Sequence, residues 1–136
     1  MTTLLESSTS GLAMVQAAES ALLQLPQVEL CTEQRFHGGM YIRTVHLPAG
    51  TVISGALIKI KTILVIHGTL NIYSPNRLEC NGTTILDGEA GRKSLFKALE
   101  DSSITMIFPT QAATLEEAER EFTDEHEMLV TRRGGA

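Results

Sequence analysis

The sequence predicts a mainly β protein: one small barrel or sandwich with a helix before it and a helix after it. Three observations carry this. Between Val28 and Pro109, short β-rich runs alternate with Gly, Pro and Asn punctuation, the pattern of antiparallel strands joined by turns. Ahead of that region, Leu12, Val15, Ala18, Leu22 and Leu25 recur at helical spacing until Pro26 stops the pattern. Behind it, Thr114 and Glu117 form a capping box in front of a run of helix formers. A chain of 136 residues suits one domain. It divides into a leader and amphipathic helix (1–27), the barrel (28–110) and an acidic helix with a tail (111–136).

The elements follow in order. Met1 to Ser10 is rich in Thr and Ser and reads as a frayed leader, with Ser10 as a helix cap. Met40 to Leu47 alternates, with Tyr41, Arg43, Val45 and Leu47 on one face. Pro48-Ala49-Gly50 breaks it, and Thr51 starts the next strand. Ala56 to Lys61 also alternates, with Ala56, Ile58 and Ile60 facing one way and Leu57, Lys59 and Lys61 the other. Ile63 to Ile66 is an apolar run. His67-Gly68 reads as a turn, and Thr69 to Tyr73 returns. Asn81-Gly82 reads as a hairpin between Arg77–Cys80 and Thr83–Leu86. Asp87 to Gly91 is a loop. Ser94 to Ala98 and Ile104 to Phe108 are the last strands. The final helix runs from Thr114 to about Phe122, a further turn starts near Thr123, and Thr131 to Ala136 is a tail.

Composition narrows the function classes. The 43% hydrophobic content supports a real core and excludes a disordered chain. No run approaches the roughly 20 apolar residues of a membrane-spanning helix. No basic n-region precedes an apolar run, so a secretory signal is not expected and a cytoplasmic location is. The net charge of −5 argues against a duplex nucleic-acid partner. Two cysteines, Cys31 and Cys80, are too few for a disulfide scaffold.

The order and punctuation of the strands resemble a cupin, a small jelly-roll β-barrel. Gly50 and Gly68 bracket TVISGALIKIKTILVIH at the spacing of the first cupin motif, and Ala90 to Phe96 occupies the place of the second. The segments GGMYIRTVHLPAGTVISGALIK, TMIFPT and EEAEREFTDE resemble small cupin-like proteins of bacteriophages and prophages. For a phage protein, the expected location is the cytoplasm of the bacterial host. Most catalytic cupins hold a divalent metal with three His and one Glu. Here those positions fall on Ala56, Ile58, Thr62 and Ser94, which do not form a ligand set. The resemblance therefore implies a metal-free barrel with no cofactor and no catalytic residues. It also implies a homodimer or higher homo-oligomer.

The basic residues are the remaining chemistry. Arg43, Lys59, Lys61, Arg92 and Lys93, with His67 at a predicted turn, form a candidate binding set for an anion. The competing reading is a charged outer face or a Lys-protected edge strand. His37, His46 and His126 rebuild no site, and no Gly-x-Ser-x-Gly elbow is present. Three functions stay open. The first is a non-enzymatic, oligomeric structural or interaction module. The second is a binder that sequesters an anionic, nucleotide-like small molecule such as a host defence signal. The third is a metal-dependent cupin enzyme with unusual ligands.

Overall fold

The structure is a computed structural model and describes residues 3–25, 30–74 and 76–129. It contains eight strands: β1 (Thr3–Leu5), β2 (Thr32–His37), β3 (Met40–Leu47), β4 (Val52–Ser54), β5 (Thr62–Tyr73), β6 (Arg77–Gly88), β7 (Leu95–Ala98) and β8 (Ser102–Pro109). Helix α1 (Thr9–Leu22) precedes the barrel. Helix α2 (Leu115–Phe122) and a short 3-10 turn (His126–Met128) follow it. The sheet order is β1-β6-β5-β8-β3-β2, and β7 pairs with both β5 and β4. This is the mainly β barrel with two flanking helices that the sequence predicts.

The barrel closes because β5 belongs to two walls. Ile63 to His67 pair with β8, whereas Leu70 to Tyr73 pair with β7. Gly68 sits at the switch with φ of 119°, a backbone that favours glycine. His67-Gly68 is thus a bend inside a continuous strand, not a turn. Asn81-Gly82 is likewise not a hairpin. Gly82 lies opposite Gly68, and β6 runs unbroken through both. Long-range pairing over twelve residues of each strand overrides the local turn chemistry. Ala56 to Lys61 is also not a strand, for it touches the sheet only through the Ile58–Arg92 bridge.

Alternation along β3 is as predicted: Tyr41, Arg43, Val45 and Leu47 are buried. With Leu64, Ile66, Leu70, Ile72, Ile104, Met106 and Phe108 they build the core. Tyr41, Phe108 and Phe122 meet at centroid distances of 5.1 to 6.0 Å, so α2 packs across one end of the barrel. The leader is not frayed. Leu5 is buried, and β1 pairs in parallel with Leu86–Gly88. Ser8 rather than Ser10 caps α1, accepting from the Gly11 N–H. Thr114 caps α2 as predicted, accepting from the Glu117 N–H. The predicted tail lies outside the described residues.

Both helical segments are tied to the barrel by Lys93. Its buried Nζ lies 3.0 Å from Glu19 Oε2 on α1 and 2.7 Å from Glu125 Oε1 beyond α2. Ser7 Oγ donates to the Lys93 carbonyl and accepts from its N–H. Burial alone would push the Glu125 carboxyl up. Hydrogen bonds from Lys93 Nζ and the Leu57 N–H, with the Lys93 charge, outweigh it and hold the carboxyl below its ordinary range.

Two outcomes follow. An added Cβ at Gly68 would lie 2.5 Å from Ser102 Oγ and 2.8 Å from the Asp101 carbonyl. Gly68→Ala is expected to cost about 2–4 kcal/mol in urea unfolding. Gly82→Ala, whose Cβ meets nothing within 4 Å, should cost only about 1 kcal/mol. Because the Glu125 carboxyl is depressed, its contribution is present above the ordinary carboxylate pKa and fades as pH falls through the folded value. The hydrogen-exchange protection factors of residues 122–129, corrected for the intrinsic pH dependence of exchange, should therefore fall on acidification. Glu125→Gln should exchange fast already at neutral pH.

Candidate functional site

Inside the barrel lies a cavity of about 110 Å³. Val45, Ile53, Ile58, Leu64, Phe96, Ile104, Met106, Phe122 and Leu129 make most of its wall apolar. Arg43, Arg92 and Ser94 add the polar side chains that mark one end of a ligand from the other. Two elements hold them: Arg43 the inward face of β3, and Arg92 and Ser94 the loop that carries the chain from β6 to β7.

Arg92 is 3% exposed. Its Nη2 donates to Thr62 Oγ1 at 2.6 Å, and its Nη1 donates to the Glu89 carbonyl at 2.8 Å. No carboxylate of the described residues forms an ion pair with it, since the Glu89 carboxylate pairs with Lys61 instead. Burial lowers its pKa from the ordinary guanidinium value to about 10, and the nearby Glu89 charge opposes that only in part. Gly88 makes the placement feasible. A Cβ there would lie 2.5 Å from the guanidinium carbon.

Arg43 is 6% exposed and lies 3.8 Å from Glu119, a fully buried carboxylate on α2. Its Nη1 also donates to Tyr41 Oη, and its guanidinium sits 5.8 Å from the Phe122 ring centroid. Ser94 hydrogen-bonds Ser74 in the barrel wall.

The structure thus brings Arg43 and Arg92 to one cavity and separates the other sequence candidates from it. Lys93 is turned toward Glu19 and Glu125, where its charge is countered twice. Lys59 pairs with Asp124 at 2.7 Å, and Lys61, largely exposed, with Glu89 at 3.4 Å. His67 lies on the outer face of β5 beside Thr83. These four do not line the cavity. Glu119 and Gly88 are not singled out as site residues by the sequence. Glu119 sat in an acidic run whose solvated residues hide the one that points inward. Gly88 sat in a predicted loop, with no local sign that a guanidinium crosses it.

The positions matched to the cupin metal ligands do converge in space. Ala56, Ile58 and Ser94 line the cavity, and Thr62 accepts from Arg92. Their chemistry does not fit a divalent cation: two side chains are aliphatic and two are hydroxyls, beside a guanidinium. Among the described residues no three His, Cys, Asp or Glu side chains are grouped to hold a metal. No helix of the described residues is long and apolar enough to cross a membrane.

No known family profile and no curated protein matches the sequence. Solved structures do match the fold. A cupin 2 conserved barrel domain protein from Leptotrichia buccalis aligns with a TM-score of 0.53 and 16% identity, over 73% of this chain and 50% of that one. KdgF from a Halomonas species aligns with a TM-score of 0.52 and 15% identity, over 65% of this chain and 87% of that one. A protein from Neisseria meningitidis aligns with a TM-score of 0.50 and 9% identity, over 68% of this chain and 96% of that one. At these identities the likeness establishes the fold alone, and the fold is a cupin-like barrel.

Proposed function

We propose that the protein is a non-enzymatic, metal-free barrel that binds a small anion with an apolar body. The observation that carries this is Arg92: a buried guanidinium with no carboxylate ion pair among the described residues, at the wall of an apolar cavity. A buried charge is costly unless another charge meets it. An anionic ligand supplies that charge, and guanidinium recognises carboxylate in a planar, two-pronged way. Ser94 offers a further hydrogen bond. The cavity of about 110 Å³ is far below the roughly 300 Å³ at which pockets for larger ligands begin. Its size therefore favours a short-chain carboxylate over a nucleotide-like signal. Together with the phage-like segments, this reading makes the protein a sequestering barrel acting in the cytoplasm of a bacterial host.

Isothermal titration calorimetry with isovalerate tests this. Wild type should bind, and Arg92→Met should lose at least about tenfold in affinity, a charge-assisted contact's worth. Arg92→Lys should recover part of it. Because the anion needs the protonated guanidinium, wild-type affinity should fall as pH rises past about 10. No heat with wild type, or equal heat with Arg92→Met, defeats the reading.

A second reading concerns assembly. The outer face of β6-β5-β8-β3 carries Ile85, Val65, Ile63, Ile107 and Ile42 in neighbouring register positions. Ile85 is 54% exposed and Ile63 41%. A flat apolar sheet face of this kind suits a second copy of the chain. Light scattering should give a dimer or larger species for wild type, and Ile85→Asp should reduce it to a monomer. A wild-type monomer at every concentration rejects this reading.

A further inference from the structure

Thirteen of the fifteen residues around the cavity come from the barrel itself or its loops; Phe122 and Leu129 come from the C-terminal segment. That segment is fastened at several points, all on one stretch of barrel and Lys93. The Lys59 N–H donates to the Phe122 carbonyl at 2.9 Å, and Lys59 Nζ meets Asp124 at 2.7 Å. The Leu57 N–H donates to Glu125 Oε1 at 2.8 Å, and Lys93 Nζ reaches the same oxygen at 2.7 Å. The Lys59–Asp124 tie is exposed and opens at little cost, whereas the Lys93–Glu125 tie is buried on the lysine side and is the main latch. Residues 57–61, which receive them, make a single β-bridge, between Ile58 and Arg92, and pack Ile58 and Ile60 on the core.

We propose that residues 122–129 form a latched strap whose Leu129 packs on the apolar tail of a bound carboxylate and sets how long that tail is. This rests on the anion-binding reading above and names its ligand class: short aliphatic monocarboxylates, with the head group on Arg92 and the tail against Ile53, Ile104 and Leu129. Leu129 is the lining residue suited to this role. Phe122 stacks among Tyr41 and Phe108, whereas Leu129 is a buried aliphatic side chain at the cavity wall. Leu129 belongs to the core as well as to the cavity wall, so truncating it enlarges the cavity at some cost in stability. The strap also explains entry: the cavity wall is complete only while the strap is down.

The test measures binding of propionate, butyrate, isovalerate and hexanoate to wild type, Leu129→Ala and Glu125→Gln. Hydrogen exchange runs on the same samples. Wild type should prefer the four- and five-carbon acids. Leu129→Ala should shift the preference to hexanoate, gaining about fourfold for each methylene that enters the vacated space. Glu125→Gln should keep the wild-type preference but exchange ligand at least tenfold faster. Its residues 122–129 should exchange hydrogen faster while β5 and β8 stay protected. An unchanged tail preference in Leu129→Ala overturns the specificity role. Exchange of 122–129 only together with β5 and β8 overturns the strap, whether or not any acid binds. Absence of binding by all four acids to wild type overturns the anion reading and the specificity role with it. The hydrogen exchange still judges the strap in that case.

Discussion

Two adjacent cations, Arg92 and Lys93, are both buried, and much of the molecule is arranged around that fact. Neighbouring residues in extended backbone send their side chains to opposite sides. Arg92 goes into the barrel, where Thr62 and the Glu89 carbonyl hold it. Lys93 goes outward, where Glu19 and Glu125 flank it. One dipeptide therefore polarises the cavity and fastens both helical segments to its mouth. Removing either partner of a buried pair costs more than the pair contributes, so the arrangement constrains all its members.

The three buried cations of the described residues, Lys93, Arg43 and Arg92, differ in how their charge is met. Lys93 has two carboxylates from the chain itself. Arg43 has Glu119, delivered by α2. Arg92 has neutral acceptors, and its lowered pKa reflects that uncompensated burial. Among the buried cations of the described residues, Arg43 and Lys93 meet carboxylates and Arg92 meets neutral oxygens. A site that keeps an unmet buried charge is organised in advance for its counter-charge, which reduces the cost of binding.

The fold was largely legible in the sequence because inward alternation is a property of single strands. Tyr41, Arg43, Val45 and Leu47 declare their face by spacing alone, and Thr114 with Glu117 declares a helix start by chemistry confined to one turn. The errors fall where distant pairing decides. His67-Gly68 and Asn81-Gly82 carry turn residues, yet they face each other in the middle of a paired ribbon, where the barrel bends. Thr3–Leu5 looks like a tail until Leu86–Gly88 offers it an edge. The site shows the same division. The inward placement of Arg43 is legible because its strand phase is clear. The placement of Lys59 and Lys61 is not, because Ala56 to Lys61 alternates in hydrophobicity without being a strand. Glu119 and Gly88 act through partners far along the chain, and no local pattern reveals that.

The central claim is that an anion meets Arg92 inside the barrel, and NMR reads this most directly. Protein with 13C-labelled methyl groups would be titrated with unlabelled isovalerate, and intermolecular NOEs recorded. The account predicts NOEs from the ligand methyl groups to Ile53, Ile104 and Leu129, with the Arg92 side-chain signals shifting in step. Shifts confined to exposed Lys59 and Lys61, with no NOE to an inward-facing methyl group, would contradict it.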